Sequence, residues 1–457
     1  MTASSWTRLA TEVARQRDPL AGFEHARRAT QVAEEGMAGL SEFERINRDL
    51  VKSRIEMSYL SCIANLTRRS EHNELFHALE AMRRIDRFSQ SAETSLITEI
   101  DLPSAKALAK KHGFTYLATQ AAPGGTVFFV IDADGDVTAE TAVGGWAERA
   151  FHFSREIDNA ARAMEFFGEP DLNRLNSQAA SLFDELPSNA KRALESESGL
   201  IFLSMGGDQH NLPIELLFTR AGGWLGLQRV CARIRSFEEL ATIIERQPST
   251  NSLSAVVAAG PGEGYEKILA SAESISTQLV SAGISLRPAD QILAEGRLSL
   301  WTFLDSIDRE PSMIVFVGHG GYDASGPFLQ LSATDRLRPA DLAQFRFDGA
   351  PMAHLECCTA GQSVYFGGGY WNSYAVSLLA VGASCCLVSN RIIFGGPSEL
   401  LCSELYARLT GTECLPIGLA LLEARRKIAK AFPNPVFWAA PVLYGNPLAQ
   451  ICSITAQ

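Results

Sequence analysis

From Ser254 onward, short apolar segments alternate with longer amphipathic ones, and this alternation constrains the fold more than any other feature of the chain. SAVVAAG, SMIVFVGHG, PMAHLECC and ASCCLVSN each end in glycine or a polar turn, ISLRPA and PFLQLSA add further strand-like runs, and YEKILASAESISTQLVSAG reads as a helical crossover. Apolar runs without polar alternation belong to strands covered on both faces. The expected fold is therefore α/β, a mostly parallel sheet flanked by helices. In such sheets reactive groups gather beyond the carboxyl ends of the strands. VFVGHGG and HLECCTAG place their polar residues at two such ends.

Upstream, the chain reads differently. Ile55, Tyr59, Cys62, Ile63 and Leu66 recur on one helical face, and Phe76, Leu79, Met82 and Ile85 repeat the pattern after the polar break RRSEHN. From about Leu102 a helix leads into strands joined by Pro-Gly-Gly and Asp-Gly turns, FTYLATQAAPGGTVFFVIDADGDVTAETA. A helical stretch covers roughly 147 to 196, and GLIFLSMGGDQHNLPIELLF reads as a buried strand running into a loop that carries His210. ERQPSTNSLS is a linker. The chain thus divides into a helical region, 1–97, a first α/β unit, 98–250, and a second, 251–457.

With 457 residues, 46% hydrophobic and 20% charged, the chain has the apolar material for large cores. No uninterrupted apolar run nears the roughly 18 residues of a membrane span. MTASSWTRLATEVARQRD lacks the layout of a signal peptide, so a cytoplasmic location and no membrane partner are expected. A formal charge of -11 argues against a global nucleic-acid footprint. Nine cysteines, at 62, 231, 357, 358, 385, 386, 402, 414 and 452, show no C-x-x-C spacing, which argues against disulfides and against zinc. Cys385 and Cys386, adjacent on a strand, point to opposite faces and read as core. GPGEG, between a strand and a helix, has neither G-x-G-x-x-G spacing nor a following Lys-Ser/Thr and does not read as a nucleotide loop.

One constellation carries chemistry. A cysteine nucleophile needs an imidazole as base and proton donor, and neighbouring strands can bring the two together. His319 sits among three glycines in Gly318-His319-Gly320-Gly321, where backbone N–H groups can approach a ligand. Strand alternation through the cysteine pair puts His354, Glu356 and Cys358 on one face and Leu355 and Cys357 on the other, which makes Cys357 core. His354 is about 13 Å from Cys358 along one strand, so His319 is the better partner. Thr359-Ala360-Gly361 offers backbone N–H groups for an oxyanion.

These residues resemble those of the CHAT-domain cysteine proteases of the caspase-like clan, which includes caspases, metacaspases, separases and gingipains. FVGHGGYD resembles the family's histidine segment, LECCTAG its cysteine segment and FWAAPVLYGNP its closing segment, while LIFLSMGGDQHNLPIELL and VVAAGPGEGYEKILASAESI resemble the openings of an inactive and an active half. Many relatives read S-A-C-E-T-G where this chain reads E-C-C-T-A-G, so the acid has moved to precede the cysteine. The resemblance implies a dyad of His319 and Cys358, an oxyanion hole from the N–H groups of Gly320 and Cys358, and no cofactor or metal. His210 falls in the half without a matching cysteine and reads as structural. Metacaspases place an aspartate two residues before the cysteine and cut after basic residues. By that likeness Glu356, with Asp323 and Glu263 as second acids, would receive arginine or lysine.

The helical region would regulate or dock partners and would be removable without loss of the fold. Relatives act in bacterial defence, under a sensor protein or against a toxic, pore-forming partner, and a protein substrate of that kind is expected. The competing reading is a catalytically silent scaffold.

Overall fold

A computed structural model describes residues 3–15, 18–37, 44–85, 99–168, 170–196, 199–206, 209, 212–249, 253–288, 291–294, 296–323, 326–358, 360–361, 364–366 and 370–451. His210, Thr359 and Cys452 lie outside them. The expected α/β architecture is present. An eleven-stranded sheet runs, in spatial order, Val137–Ala142, Gly125–Ile131, Phe114–Ala122, Leu200–Met205, Val230–Arg233, Pro441–Gly445, Cys385–Ser389, Met352–Glu356, Met313–Val317, Ser254–Ala259 and Ser285–Leu286. Phe114–Ala122, Leu200–Met205 and Val230–Arg233 are parallel, as are the last five strands in that order. Pro441–Gly445 is parallel to Val230–Arg233 and antiparallel to Cys385–Ser389, so the two half-sheets run in opposite directions.

Helices cover both faces, and the strands show it residue by residue. Ala255, Val257, Met313, Val315, Met352, Cys385 and Leu387 belong to one core. Val256, Ala258, Ile314, Phe316, Ala353, Leu355, Cys386 and Val388 belong to the other. This is period-two alternation with apolar residues on both sides, and it separates Cys385 from Cys386 as expected.

Three readings differ from the structure. The helical stretch at 147–196 is three helices, Trp146–Phe167, Leu172–Asp184 and Ser188–Glu195, interrupted where Pro170 and Pro187 deny the backbone a donor. PFLQLSA is not a strand of the main sheet. Gly326–Gln330 pairs instead with Gly320–Asp323 and Arg336–Leu337, because the hairpin starts directly after His319. Cys414 is disulfide-bonded, which the irregular cysteine spacing did not suggest.

The N-terminal helices are not a detached appendage. Tyr59, Cys62, Ile63 and Leu66 of Glu44–Arg69, and Leu75, Phe76 and Leu79 of His72–Ile85, are buried in the same core as the first half-sheet. The Phe76 ring lies 5.9 Å from Phe129 and 5.8 Å from Phe237. Buried polar groups also cross the boundary. Arg83 donates to the carbonyls of Thr119 at 3.3 Å and Ser204 at 3.1 Å, and Glu80 accepts from the Tyr116 hydroxyl at 3.2 Å. Removing residues 1–97 would strip a wall from this core, against the expectation that the segment is dispensable for folding. No described helix is long and apolar enough to cross a membrane. Replacing Phe76 by alanine should destabilise the whole molecule by about 3–5 kcal/mol, read as a shift of the urea midpoint. A change confined to local fraying of the helices would show that they are separable.

Candidate active site

Sheet register builds the site. Met313–Val317 and Met352–Glu356 are parallel neighbours with Val317 opposite Glu356, and the Gly318 N–H donates to the Glu356 carbonyl at 3.1 Å. Two residues beyond these positions come His319 and Cys358, so the two residues that sequence reasoning paired follow adjacent strand ends. Gly320 permits the approach: a Cβ there would sit 2.6 Å from the Cys358 carbonyl oxygen.

His319 is exposed, and its Nε2 lies 2.8 Å from the carbonyl oxygen of Glu263. A carbonyl only accepts, so Nε2 carries a proton, and in the neutral ring the lone pair is on Nδ1. Gly262, at φ +135°, lies against this ring, and a Cβ there would overlap His319 Cδ2. The His319 carbonyl accepts from the Gln330 N–H at 3.0 Å, and Gly320 stands opposite Leu329. Antiparallel ladders alternate bonded and non-bonded pairs, so the Gly320 N–H points away from Gly326–Gln330.

Cys357 is 1% exposed, and burial pushes its thiol well up, whereas Cys358 is only partly buried. The Ile393 N–H, from the loop after Cys385–Ser389, points at Cys358 Sγ at 3.4 Å. Arg391 of that loop is buried against the first half-sheet's helix Trp146–Phe167, where it donates to Ser154 and pairs with Asp158.

The three expected pocket acids are placed differently. Asp323 forms ion pairs with Arg336 and Arg338, each at 2.7 Å. Glu263 contributes its carbonyl to His319 and lies on an exposed loop. Glu356 does not line an open cleft: it is 8% exposed, and its oxygens accept from Ser398 Oγ at 2.8 Å and Cys402 Sγ at 2.9 Å. The strand ends at Glu356 and the chain bends, so the face it would have shared with Cys358 is interrupted. Burial pushes the Glu356 carboxyl up, against those two hydrogen bonds. His354 beside it is pushed down to about 4 by burial, and its Nδ1 lies 2.9 Å from the Tyr406 hydroxyl. One atom each of His354, Glu356 and Cys402 lie within 4.8 Å of one another, a cluster the sequence reading missed because Cys402 is 46 residues from Glu356.

Limiting iodoacetamide on the native protein should alkylate Cys358 at least about tenfold faster than the buried thiols Cys62, Cys231, Cys357, Cys385, Cys386 and Cys402, measured by peptide mass spectrometry. Equal labelling of Cys357 would contradict this placement.

Known proteins share the fold. Two crystal structures of the Saccharomyces cerevisiae separase–securin complex superpose with TM-scores of 0.57 and 0.56 at 10% and 12% identity, each covering 95% of this chain. The chain spans 38% of the separase chain in each, and identities this low establish the fold alone. Gingipain R, described as an Arg-specific cysteine proteinase, has a TM-score of 0.44 at 12% identity, covering 66% of this chain and 76% of its own. No curated protein matches the sequence. The CHAT domain matches residues 176–446, more than half of the chain, and the protein belongs to the CHAT domain family, with a caspase-like cysteine-protease fold.

Proposed function

We propose that the protein is a cysteine endopeptidase that works through His319 and Cys358. The observation that carries this is their juxtaposition at adjacent parallel strand ends, with the Glu263 carbonyl fixing the tautomer of His319. The Cys358 sulfur attacks a peptide carbonyl as its proton passes to His319 Nδ1. His319 then protonates the leaving amine, and water, deprotonated by the same ring, hydrolyses the thioester and restores the thiol. The N–H groups of Gly320 and Cys358 hold the oxyanion.

Cleavage after arginine or lysine is the specificity we assign. Its support is Glu356, a buried carboxyl held by a hydroxyl and a thiol, with no ion pair to a described arginine or lysine. A substrate guanidinium or ammonium that displaced those donors would form charge-assisted bonds in a dry site. Asp323 is already neutralised by arginines, and Glu263 stands at the exposed rim. The physiological substrate in this reading is a protein partner in bacterial defence, such as a pore-forming effector, released to cleavage by a sensor in the cytoplasm. Residues 98–250 act as the inactive half, 251–457 as the active half, and the N-terminal helices as the regulatory surface.

Cys358→Ala and His319→Ala should each lower cleavage of a fluorogenic Arg peptide on the order of 10⁴-fold or more, while Cys357→Ala remains active. Glu356→Gln should narrow the preference for arginine over an apolar residue before the cut by about 10- to 100-fold. A scaffold without turnover would show no Cys358-dependent labelling by a peptidyl acyloxymethyl ketone. A basic preference unchanged in Glu356→Gln would remove Glu356 from the pocket.

A further inference from the structure

Behind the cysteine strand, polar side chains from two elements meet in a dry space. His354 and Glu356 alternate on Met352–Glu356 and share one face. Ser398, Cys402 and Tyr406 recur at every fourth residue of the helix Gly395–Thr410 and share the face turned toward them. All five are buried, none more than 8% exposed. The peptidase chemistry uses neither His354 nor Cys402.

We propose that His354, Glu356 and Cys402 form a binding site for a divalent transition-metal ion, with zinc the best match to their donors. One nitrogen, one carboxylate oxygen and one sulfur is a set that zinc accepts at bond lengths of about 2.0–2.3 Å, whereas calcium and magnesium take oxygen. A tetrahedron with such bonds has edges of about 3.3–3.8 Å. The three donors already lie within 4.8 Å of one another, so side-chain shifts of about 1 Å close the site.

Charge favours the same guest. A dication with one carboxylate and one thiolate is neutral overall, the state that a buried site tolerates. Binding releases the Cys402 thiol proton and any proton that Glu356 holds, while His354 enters as neutral imidazole. The Tyr406 hydroxyl at His354 Nδ1 and the Ser398 hydroxyl at Glu356 are the outer partners that orient such ligands. The fourth position falls to a water. A metal and a substrate cation on Glu356 exclude one another.

The test uses the reduced, metal-free full chain and does not read turnover, so its failure leaves the peptidase reading untouched. Titration with Co²⁺ should produce a thiolate-to-cobalt band in the near ultraviolet, together with the visible bands of a four-coordinate ion, saturating at one equivalent and bleached by Zn²⁺. The bands should persist in Cys358→Ala and His319→Ala and vanish in Cys402→Ser and His354→Ala. Cys402→Ala, an apolar replacement, serves as the second variant should serine perturb the fold, with circular dichroism as the check. Tyr406→Phe should weaken binding about 10- to 100-fold. Absence of the band from wild type, its survival in folded Cys402→Ser or Cys402→Ala, or its loss in Cys358→Ala would each overturn the proposal.

Discussion

The parallel pairing of Met313–Val317 with Met352–Glu356 is the constraint on which the site depends. Five consecutive buried residues on each strand fix the register, and a slip of one residue would turn every side chain to the wrong core. The spacing of His319 and Cys358 therefore comes from the sheet, which sets where each strand ends. Its two neighbours extend the same logic. The strand Ser254–Ala259 feeds the loop whose Glu263 carbonyl meets His319, and Cys385–Ser389 feeds the loop whose Ile393 N–H meets Cys358. Four adjacent strands thus each supply one component at their carboxyl ends, where a parallel sheet leaves room for it.

The same strand carries a second group of polar side chains. Leu355 and Cys357 pack into an apolar core, whereas His354 and Glu356 meet hydroxyl and thiol groups of Gly395–Thr410. Burying an imidazole and a carboxyl without a counter-ion is unfavourable, and both groups respond by favouring their neutral forms. An apolar pair would fill that space at less cost.

What the sequence made legible follows the range of the forces involved. Period-two alternation located both cores and assigned Cys357 to one of them, because strand geometry is local. Beyond Glu356 that alternation carries no phase, since the strand stops there and the chain bends before Cys358. The pairing of Cys402 with Glu356 was hidden for another reason. It depends on where a helix docks on a sheet, and the spacing S-x-x-x-C-x-x-x-Y at 398–406 marks a polar helical face without naming what it faces. The N-terminal helices repeat this lesson. Their apolar faces were legible, but the ring of Phe76 against Phe129 and Phe237 was not.

The first α/β unit also helps to build the surroundings of Cys358. Arg391 is 8% exposed, and its guanidinium is held by Ser154 and Asp158, both from the first half. A buried cation needs its partners, and losing one typically costs about 3–5 kcal/mol. The loop that carries Arg391 also carries Ile393, whose N–H points at Cys358 Sγ. Within the first half, Arg233 and Glu215 form another buried pair, and across the seam the Asn446 side chain donates to the carbonyls of Ile244 and Arg246. Displacement of the helix Trp146–Phe167 would leave Arg391 unpaired in the interior, so its loop would have to move with the helix.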